Sequence, residues 1–336
     1  MSGKPTYKDI QRMTGLSLAT ISKYFNGKHV RDANRTAIQR AAAELGYRVN
    51  AVASNLRRGK SRTVGVLLPS LENDFHMAVV ARVERRLRAH GISTIVTSTE
   101  GESQFRSVDL LLGRMVDAIV AVPAPQAVPA LSEAVAADVP VVGMDWESPD
   151  FSSDIVTIDN VAAGRLAARH LLDNGHRRVA VVGGVDSIST MRDRGTGFFQ
   201  TMDTAGVLVP DVYRVAGPLT VEQGHAAMRR LLDADRWPSA LFSVNYELTM
   251  GALIAINESG LRLGRDISMV GFDNTDMAKV ARPRLTVVAQ PVDQIAAAVA
   301  DLVIRRIDGT GEPDFVHVEL SAFLEAGASV AAIHDL

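Results

Sequence analysis

The chain has 336 residues, a hydrophobic content of 47% and a formal net charge of −2, which is enough sequence for a small domain plus a body of two lobes. It contains no cysteine, so disulfides and thiolate zinc sites are excluded and a cytoplasmic location is expected. No apolar run approaches the ~18 residues needed to span a bilayer, and the amino terminus lacks the apolar core of a signal peptide, so we expect no membrane association.

The near-neutral total conceals a strong asymmetry along the chain. Up to Arg62 there are thirteen Lys or Arg and three Asp or Glu, a formal +10, whereas the remaining residues hold 23 against 35, a formal −12. A basic segment binds phosphates favourably, and an acidic segment is repelled by them. The charge distribution therefore predicts a nucleic-acid-binding head on an acidic body.

The first predicted helix opens with a capping box. Thr6 and Asp9 have the spacing that satisfies free amides at a helix start, and Ile10 and Met13 are expected to face inward. Gly15 then permits a tight turn, since it tolerates a positive φ.

Two further helices follow this turn. Ser17 is placed to cap a helix that stops at Asn26-Gly27, and Asp32 is placed to cap a third helix that ends at Gly46. Apolar residues recur at helical spacing in both, namely Ala19, Ile21, Tyr24, Phe25, Ile38, Ala41, Ala42 and Leu45. The first two helices with their turn form a helix-turn-helix.

In a helix-turn-helix the start of the second helix meets base edges in the major groove. Leu18 and Ala19 are apolar, so contact with thymine methyls is expected for them, whereas Ser22 is suited to either a base or a phosphate. Lys23 is available for phosphate. The alternative is a three-helix packing unit without DNA binding, and the charge of the segment argues against it.

Two stretches of sequence carry a family resemblance: TYKDIQRMTGLSLATISKYFNG from residue 6, and AAAELGYRVNAVASNLRRGKSRTVGVLLPS from residue 41. They resemble the start of the lac repressor (LacI/GalR-type) family of bacterial transcription regulators, and the resemblance covers essentially the whole chain. It implies that residues 50 to 57 become a helix on operator DNA and that Leu56 enters the central minor groove.

An apolar wedge costs a few kcal/mol of base unstacking, which is offset when the bent duplex seats both heads of a dimer. The alternative is that Leu56 simply covers the surface of the body.

The candidate DNA-binding residues are Thr6, Tyr7, Ser17, Leu18, Ala19, Thr20, Ser22, Lys23 and Asn26 in the head and Asn50, Ala53, Ser54 and Leu56 in the hinge.

From Arg62 onward, buried-strand patterns alternate with amphipathic helices, which predicts an α/β fold with parallel sheets. The predicted strands are 63–68, 93–97, 118–122, 139–144, 178–182, 240–244, 268–272 and about 315–320, and the main helices are 162–174, about 194–205, 222–234, 247–259 and 292–307. Residues 285–291 are interpreted as a return crossover. The pattern resembles the two-lobed periplasmic sugar-binding fold, whose lobes are joined by three crossovers.

Before the second predicted strand, an apolar stripe of Phe75, Val79, Val83 and Leu87 indicates a core-facing helix, to which the family resemblance adds a dimer contact. The predicted domains are a head at 1–49, a hinge and linker at 50–61 and an effector-binding and dimerisation body at 62–336. Lobe 1 comprises about 62–158 and 291–320, and lobe 2 about 159–290 and 321–336.

Polar residues follow several predicted strands, where ligands of open parallel sheets bind. Asp145, Asn245 and Asp273 are among them, and the resemblance matches all three, together with Arg192, to ligand positions of sugar-responsive members. Such side chains offer the acceptors and forked donors that sugar hydroxyls require. The alternative is that they cap loops. The chain also departs from the family, with Asn245-Tyr246 where Asn-Asp is usual and Ala326 where arginine is common.

The candidate effector-binding residues are Ser70, Leu71, Phe75, Asp145, Trp146, Arg192, Asn245 and Asp273. The eight histidines show no metal-ligand spacing, and there is no Gly-x-Ser-x-Gly elbow, so no metal, cofactor or catalytic activity is expected.

The sequence thus predicts a homodimeric repressor that binds a pseudopalindromic operator and a sugar or polyol effector. The alternative is a sugar-binding receptor without regulatory DNA binding, against which the basic head and the missing signal peptide argue. The carboxyl terminus lacks a heptad tail, which weakens the case for a tetramer.

Overall fold

A computed structural model describes residues 5–25, 28–47, 60–99, 104–123, 127–148, 150–273 and 275–333. The chain divides into two compact units, Met1–Ser61 and Arg62–Leu336. We call them the head and the body and describe each by itself.

The head consists of helices Tyr7–Thr14, Leu18–Phe25 and Asp32–Glu44. The predicted capping box is confirmed, since the Thr6 backbone N–H donates to Asp9 Oδ2 at 2.8 Å. Gly15 ends the first helix with a φ of 70°, a conformation that costs glycine little.

The core of the head is small and apolar. Ile10, Ile21, Ile38 and Ala41 are its buried residues. The rings of Tyr7, Tyr24, Phe25 and Tyr47 surround them, and the Tyr7 and Phe25 rings stack with centroids 5.3 Å apart. Burial of this kind, rather than helix propensity, holds short helices together.

Two predictions about the head were wrong. Met13 is 47% exposed, because Ile10 alone fills the inward face of an eight-residue helix in so small a core. Asp32 is the first residue of its helix rather than its cap. The cap position is Arg31, which makes no side-chain cap bond.

The body contains two six-stranded sheets. The strands of the first are β1 Thr63–Leu68, β2 Ser93–Ser98, β3 Ala118–Ala121, β4 Val141–Met144, β5 Asp154–Ile158 and β11 His317–Leu320. They are parallel throughout, in the order β11-β5-β4-β3-β1-β2. We call this sheet with its helices lobe 1.

The second sheet has the same parallel arrangement apart from one edge strand. Its strands are β6 Val179–Gly183, β7 Arg214–Ala216, β8 Ala240–Ser243, β9 Ser268–Phe272, β10 Thr286–Ala289 and β12 Phe323–Glu325. The order is β12-β10-β9-β8-β6-β7, with β12 antiparallel to β10. We call this sheet with its helices lobe 2.

Nine helices are described in the body: Asp74–Ala89, Gln104–Gly113, Val128–Ala136, Asn160–Asp173, Ser189–Thr204, Val221–Leu232, Tyr246–Ser259, Thr275–Val280 and Val292–Asp308. The stripe predicted in the first of them is buried at Phe75, Val79, Val83 and Leu87. The helix Val292–Asp308 packs against it.

Residues 285–291 include the predicted return to lobe 1, but Thr286–Ala289 also forms the buried strand β10, which the sequence analysis did not predict. Strand β5 was also missed. It begins with the buried Asp154, which receives two 2.6 Å hydrogen bonds from the Arg306 guanidinium. The sequence pattern does not reveal that Asp154 is buried, because Arg306, which compensates its charge, lies on a helix far along the chain.

The chain passes between the two sheets three times. It leaves lobe 1 after β5, returns through Gln290 and Pro291 after β10, and leaves again between β11 and β12. The side chains that follow the carboxyl ends of β4, β8 and β9 meet between the lobes.

Candidate functional site

Arg194 is the central cation between the lobes. Its side chain is 3% exposed, and its Nε donates to Asn160 Oδ1 at 2.8 Å. One Nη donates to the Val244 carbonyl at 2.9 Å, and the guanidinium lies 3.7 Å from the centroid of the Phe272 ring. These contacts hold the guanidinium in place, with the other Nη 4.0 Å from Asp145 Oδ1.

The structure does not bring Arg192 to this group. The Arg192 side chain is 52% exposed and pairs with Asp193 at 3.0 Å. Residues two apart on a helix point about 200° apart, so only one of Arg192 and Arg194 faces the cleft. A sequence signal existed: Met191, Arg194 and Phe198 share one helical face, and all three are buried.

Asp145 and Asp273 occupy equivalent positions, directly after β4 and β9. Both have a positive φ, 69° and 59° respectively. A non-glycine residue held in this region costs on the order of 1 kcal/mol and occurs preferentially at functional sites. Arg62, Met115 and Asp138 also have a positive φ, so it is the burial of Asp145 and Asp273 beside Arg194 that sets these two apart.

His76, one of the histidines without metal-ligand spacing, contacts Asp145. Its Nε2 lies 3.0 Å from Asp145 Oδ2, and its side chain is 9% exposed. Burial raises the pKa of Asp145, but the hydrogen bond from His76 and the positive charges of His76 and Arg194 outweigh it, so the pKa lies below its ordinary value. In the described part of the chain, neither His76 Nδ1 nor Asp145 Oδ1 has a hydrogen-bond partner.

Glu247 is a second residue that the sequence did not single out. Its Oε1 accepts from Asn73 Nδ2 of lobe 1 at 2.8 Å, and its Oε2 accepts from Asn245 Nδ2 of lobe 2 at 2.6 Å. Burial is the largest influence on Glu247 and raises its pKa. Asn245 also caps its helix, accepting from the Leu248 N–H at 3.0 Å.

Asp273 is buried beside Gln290, whose Nε2 lies 3.1 Å from both carboxylate oxygens. Burial raises the pKa of Asp273 to about 7, an effect that Arg194 and Gln290 oppose and that Asp145 and Glu247 reinforce. The carboxyl group therefore titrates close to neutral pH.

A cavity of about 930 Å³ borders this cluster and is lined from both lobes, by Phe75, Tyr246, Asp273 and Gln290 among others. The volume of this cavity suits a small organic ligand.

The remaining predicted effector-binding residues are not among those that line the cavity. Leu71 is exposed and Trp146 is buried, while Ser70 accepts a turn hydrogen bond from the Glu72 N–H.

The head presents most of its predicted contacts at the start of the second helix. Leu18 is 39% exposed, Ala19 and Lys23 are exposed, and Ser22 is half-buried. Ser17 Oγ accepts from the Thr20 N–H at 3.2 Å, as a cap does. Thr6 is exposed and Tyr7 packs on Phe25. The remaining candidates, Asn26, Asn50, Ala53, Ser54 and Leu56, lie outside the described residues.

A basic helix-turn-helix head and a two-lobed parallel-sheet body with a polar cleft define a DNA-binding regulator with a ligand-binding body. Residues 168–330 match the periplasmic binding protein-like domain family. The ribose operon repressor of Escherichia coli (strain K12) is 31% identical over 306 residues, 90% of this chain and 93% of the repressor. The chain belongs to the lac repressor (LacI/GalR) family of transcription regulators.

Solved structures agree with this assignment. A lac repressor dimer bound to operator and the anti-inducer ONPF is similar with a TM-score of 0.86 and 25% identity, covering 98% of this chain and 100% of that one. A LacI family regulator from Enterococcus faecium with bound ribose has a TM-score of 0.72 and 27% identity, covering 81% and 100%. None of the described helices is long and apolar enough to cross a membrane.

Proposed function

We propose that the protein is a cytoplasmic, homodimeric transcriptional repressor without catalytic activity. Its heads bind a pseudopalindromic operator, and a small sugar-like effector bound between the lobes controls its affinity for that operator. The observation that carries the proposal is the polar cluster of Arg194, Asp145, Asn245 and Asp273, in which Asp273 also lines the cavity.

The chemistry of this cluster suits a polyhydroxylated ligand. The carboxylates accept from neighbouring hydroxyls, while the amides of Asn245 and Gln290 donate. Arg194 supplies a fixed positive charge at the centre of the site. The relatives support the same class of ligand, since one is a ribose operon repressor and another was solved with ribose.

Control of operator binding follows from differential affinity. Contacts such as Asn73–Glu247 and Arg194–Asp145 join the lobes, so a ligand at the same place favours one lobe arrangement over another. An effector changes operator affinity only as far as its affinities for the two arrangements differ. The hinge, proposed to be residues 50–61, would transmit the change.

The test combines operator selection with effector binding. Selection from a random DNA library should return a two-fold symmetric site, bound with a steep salt dependence of about 0.9 in log–log slope per phosphate contact. A panel of sugars and polyols should then contain a compound that changes the affinity for this site. Recovery of only asymmetric or unrelated sites would contradict the dimeric operator, and a panel without any effect would contradict effector control by this ligand class.

Variants separate the two activities. Asp145→Asn should weaken effector binding and leave DNA binding intact, whereas Asp193→Asn, outside the cluster, should change neither. Leu56→Ala should reduce DNA bending and operator affinity while leaving effector binding unchanged. An unchanged bend angle in the Leu56 variant would contradict the proposed wedge.

A further inference from the structure

The cleft holds more negative than positive charge. Three largely buried carboxylates, those of Asp145, Glu247 and Asp273, all act electrostatically on the guanidinium of Arg194. The other basic group of the cluster is the imidazole of His76, which is already hydrogen-bonded to Asp145. The arginine that lines the adjoining cavity, Arg82, is paired with Asp293 at 2.6 Å. An uncompensated charge is costly away from water, so a site of this composition favours a ligand that brings a positive charge.

Arg194 does not neutralise these carboxylates by hydrogen bonding. Its described hydrogen bonds go to Asn160 and the Val244 carbonyl, and its closest described approach to a carboxylate is the 4.0 Å to Asp145. The donors that do reach the carboxylates Glu247 and Asp273 are the neutral amides of Asn73, Asn245 and Gln290. A neutral amide satisfies a lone pair but leaves the charge in place.

Unpartnered buried atoms belong to the same cluster. Asp145 Oδ1 is an acceptor without a described hydrogen bond, and the ring of His76, bonded to Asp145 through Nε2, has a buried Nδ1 without one. Buried polar atoms are almost always paired. Of these two, Asp145 Oδ1 is a carboxylate acceptor and suits a ligand that donates hydrogen bonds. An ammonium group donates three and adds the missing charge.

We propose that the effector is an ammonium-bearing polyol, such as an amino sugar, and that Glu247 selects the amine. The inference rests on the proposed function and specifies its ligand. The hydroxyls would contact Arg194, Asn245 and Gln290, and the ammonium would lie among the carboxylates.

The electrostatics of the carboxyl groups agree with this assignment. Burial raises the pKa values of both Glu247 and Asp273. A cation bound between them would favour their ionised forms and lower both values. A neutral sugar would do so only through its hydrogen bonds.

Binding of matched pairs to the full-length protein tests the proposal. The pairs are glucosamine with glucose, galactosamine with galactose and mannosamine with mannose, measured by calorimetry at pH 7, with N-acetylglucosamine as an uncharged derivative. At least one amine should bind tenfold or more tightly than its hydroxyl counterpart, and acetylation should abolish the advantage.

A substitution then assigns the selectivity to one residue. Glu247→Gln should reduce the preference for the amine at least tenfold while changing the affinity for the neutral partner little. Glu258→Gln is the matched control, because Glu258 lies on the same helix but pairs with His225. It should leave the preference unchanged.

Every other outcome overturns the amine proposal. Equal or tighter binding of the neutral sugars would show that the effector is uncharged and would leave the proposed repressor function intact. Binding of none of the three amines would show that this cleft does not select an ammonium. A preference that survives Glu247→Gln would remove Glu247 from the selection. The proposed repressor function is tested separately, by the operator selection and the panel of sugars and polyols, and only those measurements can contradict it.

Discussion

The head and the body differ in where their stabilising partners come from. In the head, the bonds that start the first two helices join residues three apart, such as Thr6 with Asp9 and Ser17 with Thr20. In the body, the buried charged groups pair with residues far away in sequence, such as Asp154 with Arg306. Local patterns therefore suffice to predict the DNA-binding unit, whereas the ligand-binding cleft depends on long-range packing.

The two regions also differ in which kind of substitution should destabilise them most. The buried core of the head is Ile10, Ile21, Ile38 and Ala41, and so small a core supports only marginal stability. The body has a far larger apolar core but encloses several ionisable groups. We therefore expect apolar truncation to be decisive in the head and loss of a charge partner to be decisive in the body.

The largest effect is expected from Arg194→Met. Removal of the guanidinium takes away the buried positive charge that acts on Asp145, Glu247 and Asp273, with His76 remaining as a partner of Asp145 alone. Loss of one side of a buried charge interaction costs about 3–5 kcal/mol. Urea unfolding followed by tryptophan fluorescence measures it, since both tryptophans, Trp146 and Trp237, belong to the body. Arg192→Met is the control and should lie within about 0.5 kcal/mol of the wild type. Equal losses in the two variants would refute the central role of Arg194.

Ile21→Ala should act on the head alone. Truncation of a fully buried isoleucine costs about 2–5 kcal/mol, which is enough to unfold a small domain and abolish operator binding. The tryptophan-detected unfolding of the body should not change, and far-ultraviolet circular dichroism should report the lost helices. A shifted body transition would show that the two units do not unfold independently.

Asp273→Asn should change how body stability depends on pH. The pKa of Asp273 is raised from 3.8 to about 7 in the folded protein, so the folded state binds a proton that the unfolded state releases between these values. The contribution of Asp273 to stability is therefore present at low pH and lost as pH rises toward 7.

The wild type should accordingly lose about 3 kcal/mol relative to Asp273→Asn between pH 5 and pH 8. Thermal unfolding in matched buffers measures the difference. Glu247, whose pKa is also raised, acts in the same direction in both proteins. Parallel pH profiles for wild type and variant would mean that Asp273 ionises normally.

The smallest effect is expected from Thr6→Ala, which removes the capping box of the first helix. Loss of such a cap costs about 1 kcal/mol. The melting temperature of the head should fall by a few degrees, and operator binding should weaken only at temperatures at which the head is partly unfolded. The conservative Thr6→Ser should retain the hydroxyl bond to Asp9 and behave as the wild type. If both variants melt alike, the hydroxyl has no part in capping.

How far the sequence predicts the cleft is clearest at its individual residues. Asp145, Asn245 and Asp273 were predictable, because they follow apolar strand patterns and parallel strands end at the same edge of a sheet. Arg194 was predictable in principle from its helical phase with Met191 and Phe198, although family resemblance pointed to Arg192. His76 and Glu247 were not, because each lies in the first turn of a helix, where polar residues are common.

By itself the sequence determined the three-helix head, the alternation of strands and helices in the body and most of the strand ends that surround the cleft. Each of these depends on hydrogen bonds or apolar periodicity within a few residues. Only the tertiary structure decided which ionisable groups are buried together, how Arg306 neutralises Asp154 and how Glu247 comes to bridge Asn73 and Asn245. The physical reason is that the free energy of a buried charge depends on its partners and its desolvation, and these come from other chain segments, 152 residues away for Asp154 and Arg306 and 174 for Asn73 and Glu247.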